Sequence, residues 1–325
     1  MDDPMVRSRL GRANGTRLWG FPIPSGAPSF FSSDACAIHL LEDLSGPVAG
    51  LCLAARAIIP LRMRNIKLTI SYDGANFHGW QIQPGLPTIQ GLLNDAACTI
   101  TQETIVVHGA SRTDSGVHAL GQVAHFKTLS GLPAAEFQRA LNALLPPAIR
   151  IVAAEEVGPD FHARWLAQAK TYRYRIYRGS VLPPFEYGRA LHYPWPLDED
   201  AMAVAARQFE GERDFTSFAA SSGSEEDDGG RNMVRVIHSS ELMRQSANQE
   251  IEYRVRGRSF LRYMVRKIVG TLIEVGKGRL AVSDIPRILE MRDRSSSGPT
   301  VPPEGLYLIS LEYPDPTDSL GSRRR

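Results

Sequence analysis

Cysteine is scarce, with three in 325 residues: Cys36, Cys52 and Cys98. None is paired with another at metal-ligand spacing, which argues against a disulfide framework or a zinc site and for a reducing compartment, the cytoplasm. No run approaches the roughly 20 apolar residues of a membrane helix; the segment Ala49–Ile59 is short and broken by Arg56. Met1-Asp2-Asp3 is not the basic opening of a secretory signal. The chain has no Gly-x-x-x-x-Gly-Lys-[Ser/Thr] loop, no His-Glu-x-x-His and no Gly-x-Ser-x-Gly. Nucleotide hydrolysis, zinc proteolysis and the usual serine-hydrolase elbow therefore lack their motifs. A large excess of one charge is also missing, since 37 Lys and Arg against 35 Asp and Glu leave only +2.

The small net charge hides an uneven distribution. Five Lys or Arg and no acid lie between Arg164 and Arg178, and eight lie between Arg254 and Arg279 against the single Glu274. The acidic run Glu225-Glu226-Asp227-Asp228 cancels much of this in the sum. With 43% hydrophobic and 22% charged residues, the composition is that of an ordinary globule, and the length fits one large or two medium domains.

Residues 1–62 show scattered Pro, Gly and Ser and no persistent period. They are expected to be disordered, or to be an over-extended gene prediction with the true start at Met63. From Asn65 the pattern sharpens. Ile66–Tyr72 alternates as a half-buried strand. A helix follows from Thr88 to about Gln102, then strands at Ile105–His108 and Gln122–Lys127, a helix led by Pro133, and a strand at Ile149–Val157. The second half repeats the order: strand Ala169–Arg178, helix Asp198–Glu210, strands Met233–Met243 and Gln249–Gly257, helix Phe260–Val275 and strand Gly305–Tyr313. A short extra helix, Val282–Arg292, precedes the last strand. Both halves read βαββαβ, so the expected class is α+β, with two ferredoxin-like lobes, 63–165 and 166–315, and a tail at 316–325. Their sheets are expected to join into one mixed, mainly antiparallel sheet, with a ligand cleft between the lobes.

Three stretches concentrate chemistry. Gly109-Ala110-Ser111-Arg112-Thr113-Asp114-Ser115-Gly116-Val117-His118-Ala119 reads as a loop between two strands, holding one carboxylate with a cation two residues before it and a glycine two after. The ordinary use of such an Asp is to cap a turn. Lys170-Thr171-Tyr172-Arg173-Tyr174-Arg175, preceded by Phe161-His162-Ala163-Arg164, interleaves cations with aromatics. Tyr172 and Tyr174 point one way on a strand and Arg173 and Arg175 the other. Such a surface can neutralise phosphates and stack on unpaired bases, although a Tyr on the core face serves packing alone. Met264-Val265-Arg266-Lys267-Ile268-Val269-Gly270 has helical spacing with one core face, and most charges on such a helix are simply solvated.

These stretches, with Gly121-Gln122-Val123 and Glu304-Gly305-Leu306-Tyr307-Leu308, resemble the tRNA pseudouridine synthase A family from about Met63 to Tyr313. The family loop usually reads Gly-Arg-Thr-Asp-x-Gly-Val-His-Ala; here Ala110 and Ser111 stand between Gly109 and Arg112. The resemblance implies the pseudouridine synthase fold. It also implies isomerisation of uridine at positions 38, 39 and 40 of the tRNA anticodon stem-loop, by a homodimer with no cofactor, metal or membrane. It makes Asp114 the catalytic carboxylate, acting as nucleophile or as base, and Arg266 the cation that holds it ionised. Arg112 then displaces the target nucleotide, Tyr172 packs on the base and Leu308 floors the site, while His118 is a structural loop residue. Arg112 read without the resemblance is a phosphate contact, and Leu308 a core residue. The reaction needs no redox step or phosphate donor, only a carboxylate and an extruded base. The acidic stretch Ser221–Gly230 departs from the family and is expected to be a disordered surface loop. Two rival readings are an RNA-binding protein that keeps the fold without the reaction, and a metal-dependent nuclease using Asp73, Asp114 and His118.

Overall fold

The computed structural model describes residues 62–220, 232–245 and 249–314. The expectations for residues 1–61, for the acidic stretch 221–230 and for the tail 316–325 lie outside the described residues.

The first half comprises β1 (Arg64–Tyr72), α1 (Ile89–Thr101), β2 (His108–Gly109), β3 (His118–Thr128), α2 (Ala134–Leu144) and β4 (Ile149–Val157). The second comprises β5 (Ala169–Tyr177), β6 (Leu191–His192), α3 (Glu199–Arg207), β7 (Gly211–Asp214), β8 (Val234–Gln245), β9 (Glu250–Gly257), α4 (Met264–Gly276), α5 (Asp284–Met291) and β10 (Leu306–Glu312). Two of the five helices, α1 and α3, start where a side chain caps them. Thr88 accepts the amide of Gly91 and Asp198 that of Ala201.

All strands join one sheet in the order β4-β1-β3-β10-β5-β9-β8-β7, with β2 on β3 and β6 on β5. The order β4-β1-β3 is mirrored by β10-β5-β9-β8, so each half carries the split βαβ arrangement and the two sheets are continuous. Most pairs are antiparallel. The seam between the halves is parallel, with Tyr307 opposite His118 and Leu308 opposite Ala119.

The expected strand Ile105–His108 is corrected to the two-residue β2, and β3 begins inside the expected loop, at His118. The backbone of residues 105–107 is satisfied by α1 instead of the sheet. Val107 N–H donates to Asn94 Oδ1, Gln90 Nε2 donates to the Val107 carbonyl, and Ile105 N–H donates to Cys98 Sγ. Because β2 reaches only His125 and Ala124, the other end of β3 is open to β10.

One buried cluster runs the length of the sheet. It joins Ile66, Leu68 and Ile70 of β1 and Tyr172, Tyr174 and Ile176 of β5 with Leu93, Phe137, Met202, Ile268, Leu272 and Ile285 from the five helices. The intervening β5 residues face the other way, as the alternation requires. Arg173 lies 3.7 Å from Glu252, and Arg175 is paired with both Glu250 and Glu186. These two arginines are neutralised within the fold and are not the free phosphate contacts that the sequence pattern suggested.

The expected helix Phe260–Val275 begins later, at Met264, because Tyr263 adopts a left-handed conformation with φ of 63°. Non-glycine residues rarely take this region, and it often accompanies functional sites. Further along α4, Gly270 meets the segment 298–301. A Cβ at Gly270 would lie 1.8 Å from the Pro299 carbonyl oxygen. The same segment clasps the helix through Arg266 Nε, which donates to the Val301 carbonyl at 2.7 Å.

Replacing a helical glycine with alanine ordinarily stabilises by about 1 kcal/mol. At Gly270 the clash with backbone should win, at a cost of about 1–3 kcal/mol for overpacking. Gly270→Ala is therefore expected to lower the midpoint of chemical denaturation; an unchanged or raised midpoint would contradict this packing.

Candidate active site

The loop between β2 and β3 is held from three sides. From β1 and the turn after it, Tyr72 Oη bonds Thr113 Oγ1 at 2.8 Å, Trp80 N–H donates to the Thr113 carbonyl, and Ser115 Oγ donates to the Phe77 carbonyl. Gly79, with φ of +83°, lets that turn pass against the 113–115 backbone, where a Cβ would lie 2.6 Å from the Thr113 oxygen. From β3, the Gln122 side chain donates to the Ser111 carbonyl and accepts its N–H. From β5, Lys170 Nζ donates to the Ala110 carbonyl at 2.9 Å and to Ser111 Oγ at 3.3 Å, while Tyr172 Oη bonds Ser111 Oγ at 2.8 Å.

Asp114 projects from this frame with a quarter of its side chain exposed. Arg266 Nη1 lies 3.6 Å from Oδ2 and Arg262 Nε lies 3.7 Å from Oδ1. Arg266 is itself 13% exposed, whereas Arg262 is 67% exposed. Both guanidinium groups stand over the ring of Tyr263, at 4.8 and 4.7 Å, so the left-handed residue carries the two cations. Burial raises the Asp114 carboxyl above the ordinary carboxylate range, opposed first by Arg266 and then by Arg262. Arg266 thus favours the charged form, as expected, but desolvation outweighs both arginines.

Tyr172 is buried, with its ring edge-on to Phe260 at 5.1 Å. Its hydroxyl is pushed up to about 12 by burial, with the Asp114 charge adding to the rise, which places the carboxylate within electrostatic reach of the phenol. Leu308 is fully buried at the seam, opposite Ala119 on one side and Tyr172 on the other. Arg112 is exposed and makes no ion pair among the described residues. The structure thus gathers Asp114, Arg266, Tyr172 and Leu308 around the β3–β10 seam and leaves Arg112 facing solvent on the same loop.

His118 takes no position beside Asp114. It is buried, stacks on Tyr307 at 4.6 Å, accepts the Gly74 N–H and lies 3.1 Å from Asp73. Asp73 also pairs with Arg189 at 2.6 Å. Asp73 and His118 are therefore structural neighbours to which Asp114 does not belong, and among the described residues no three metal-type donors converge. The nuclease reading loses its geometry.

Three contributors were not singled out as site residues from sequence. Arg262, in sequence only one of the eight cations between Arg254 and Arg279, reaches Asp114 because the helix starts after it. Lys170 and Ser111 form the clamp on the loop. Lys170 was visible only as the leading cation of an aromatic-basic strand, and no sequence signal marks its partner.

The model of the tRNA pseudouridine synthase family matches residues 68–165 and 205–314. The tRNA pseudouridine synthase A of Solibacter usitatus is 50% identical over 252 residues, covering 77% of this chain and 100% of that protein. Those of Acetivibrio thermocellus and Limosilactobacillus fermentum are 44% and 42% identical over 251 and 260 residues, covering 77% and 79% of this chain and 100% and 99% of theirs.

Two pH effects follow from the burial. Lys170 is brought down to about 8 from an ordinary 10.5, chiefly by burial and secondarily by Arg164. Below pH 8 both folded and unfolded chains carry the proton; between about 8 and 10.5 the folded chain binds fewer, so stability should rise with pH there. Denaturant melts at pH 7.5, 9 and 10.5 should show wild type gaining on Lys170→Met over this window; a flat difference would refute the assignment. For Asp114 the raised folded pKa means that the ionised form is the less stable one in the fold. Asp114→Asn should therefore stabilise at neutral pH, and the gain should vanish as pH falls below the carboxylate range. An Asn variant less stable than wild type at pH 7 would reverse that sign.

Proposed function

Because the chain belongs to the tRNA pseudouridine synthase family, we propose that it isomerises uridine to pseudouridine at positions 38, 39 and 40 of the tRNA anticodon stem-loop, in the cytoplasm, as a homodimer, with Asp114 as the one catalytic carboxylate and no cofactor. The observation that carries this reading is the desolvated Asp114 carboxylate between Arg266 and Arg262. A carboxylate whose burial raises its pKa is a stronger base and nucleophile than a solvated one, and flanking guanidinium groups keep it available in charged form.

The uridine leaves the stack to reach Asp114, and Arg112 takes its position in the helix, a role supported by its exposure on the same loop without an ion pair among the described residues. Asp114 then attacks the ribose carbon that bears the base, or removes a proton from the carbon beside it. Either route breaks the bond from ribose to base nitrogen. The freed uracil turns and its C5 bonds to the ribose carbon, as Asp114 departs from that carbon in the first route or returns the neighbouring carbon's proton in the second. The C5 proton is lost and the nitrogen that left the ribose gains one, so no atom is gained or lost overall. Tyr172 and Leu308, adjacent across the β5–β10 pairing, form the apolar wall against which the base turns. Arg266 stays on Asp114 throughout, its Nε fixed by Val301.

The rival from another class, an RNA-binding protein without the reaction, leaves the paired burial of Asp114 and Arg266 without a use. Release of tritium from tRNA labelled at uracil C5 separates the two. Wild type should release tritium with chelator present. Asp114→Ala should lose release by at least about 100-fold, the lower end for removal of a positioned acid–base group, while keeping tRNA affinity. Release that survives Asp114→Ala, or that a chelator abolishes, would sink the proposal. Sequencing of modified sites in tRNA from a deletion strain reads the positions directly.

A further inference from the structure

We propose that Trp165 is a stacking platform for an unpaired base of the RNA substrate, separate from the site around Asp114; this rests on the reading that the substrate is tRNA. Trp165 lies in the connection between β4 and β5 and is 78% exposed. Its ring is not loose. It lies 3.7 Å from the His162 ring at an interplanar angle of 9°, so one face is covered and the other is open. Both backbone amides that follow, Arg164 N–H and Trp165 N–H, point at His162 Nδ1 at 3.2 and 3.3 Å, which fixes the imidazole and leaves that nitrogen unprotonated.

Behind His162 stand two more imidazoles. His125 meets His162 edge-on at 4.6 Å and stacks on His108 at 5.2 Å, and its Nδ1 accepts the Ala163 N–H. Burial brings His125 down to about 4, and burial with its His108 neighbour lowers His162 as well. His162 and His125 are therefore held toward the neutral form at physiological pH, and the stacked rings serve as a rigid support. An aromatic ring held flat on such a support presents a prepared π-face at little entropic cost.

The surroundings select the occupant. Lys127 and Arg164 are exposed, without an ion pair among the described residues, and close enough to His162 to lower its pKa. On the other side of Trp165 a groove is lined by Leu166, His238, Arg256 and Arg258. Arg256 is neutralised by Glu312 at 2.5 Å, whereas Arg258 is exposed and carries no ion pair among the described residues. The one carboxylate among the described groove residues is thus already engaged, and three free cations, Lys127, Arg164 and Arg258, flank an open indole. That combination matches a nucleotide, with base on ring and phosphate on cation, and repels a basic peptide.

Steady-state kinetics and direct tRNA binding with Trp165→Ala and Trp165→Phe test the platform. Stacking on an aromatic side chain is worth about 1–3 kcal/mol per base, or about 5- to 150-fold. Trp165→Ala should raise KM and Kd for tRNA within that range and leave kcat and the thermal midpoint unchanged, because the ring is exposed and remote from the reacting carboxylate's contacts. Trp165→Phe should recover most of the affinity. Unchanged Kd in Trp165→Ala, or a fall in kcat with KM unchanged, overturns the platform. A wild-type protein that binds tRNA but releases no tritium refutes the proposed function instead, and the Kd comparison still scores Trp165.

Discussion

A carboxylate drawn partly out of water has to be met by positive charge or be protonated. In this chain neither answer is complete. Asp114 keeps a quarter of its side chain in solvent, two guanidinium groups stand at 3.6 and 3.7 Å, and desolvation still raises its pKa. The distances matter. Contacts longer than a hydrogen bond leave the carboxylate oxygens free to meet a substrate atom, whereas a close bidentate pair would occupy them. The fold maintains that spacing by anchoring both partners elsewhere: the loop through Tyr72, Gln122, Lys170 and Tyr172, and Arg266 through Val301.

The parallel seam between β3 and β10 makes the arrangement possible. Asp114 comes from the first half of the chain, Tyr172, Arg266 and Leu308 from the second, and the two register pairs of the seam, with the side-chain bonds of Lys170 and Tyr172 to the loop, bring them together. β2 ends at Gly109, opposite Ala124, and the chain then leaves the sheet as the loop that carries Asp114, so the His118 end of β3 is free to pair with β10. The side chains of Asn94, Gln90 and Cys98, by taking the backbone of 105–107, tie the segment that leads into that loop to α1.

Much of this was legible in the sequence. The alternation in β1 and β5 is visible, as are the capping residues Thr88 and Asp198 and the repeated βαββαβ order, because each is a local signal. The loop carrying Asp114 was legible as a loop with a carboxylate, and its resemblance to a family named the residues that converge on it. What escaped was tertiary. Ile105 and Val107 alternate as a strand would, yet their backbone is claimed by a helix. Tyr263 gives no hint of a left-handed turn, and without it Arg262 would sit on a helix face one turn from Arg266 instead of beside Asp114. The arginines of β5 look like a phosphate-binding face until Glu250 and Glu252, distant in sequence, are seen to pair with them.

That last pairing changes how the surface charge acts. A net +2 over 325 residues gives no strong long-range field, and a large share of the arginines are consumed by internal carboxylates. Arg112, Lys127, Arg164 and Arg258 are exposed and carry no ion pair among the described residues. One stands on the loop that carries Asp114, and the other three flank the Trp165 platform. Attraction to a polyanion then comes from a few placed cations acting within about a Debye length, roughly 8–10 Å at physiological salt. Each contributes through counterion release when it meets a phosphate. Such a surface gains little from RNA at large and more from a backbone folded so that its phosphates match these positions. The placement of these four cations, among the described residues, then favours a shaped RNA over an unstructured one.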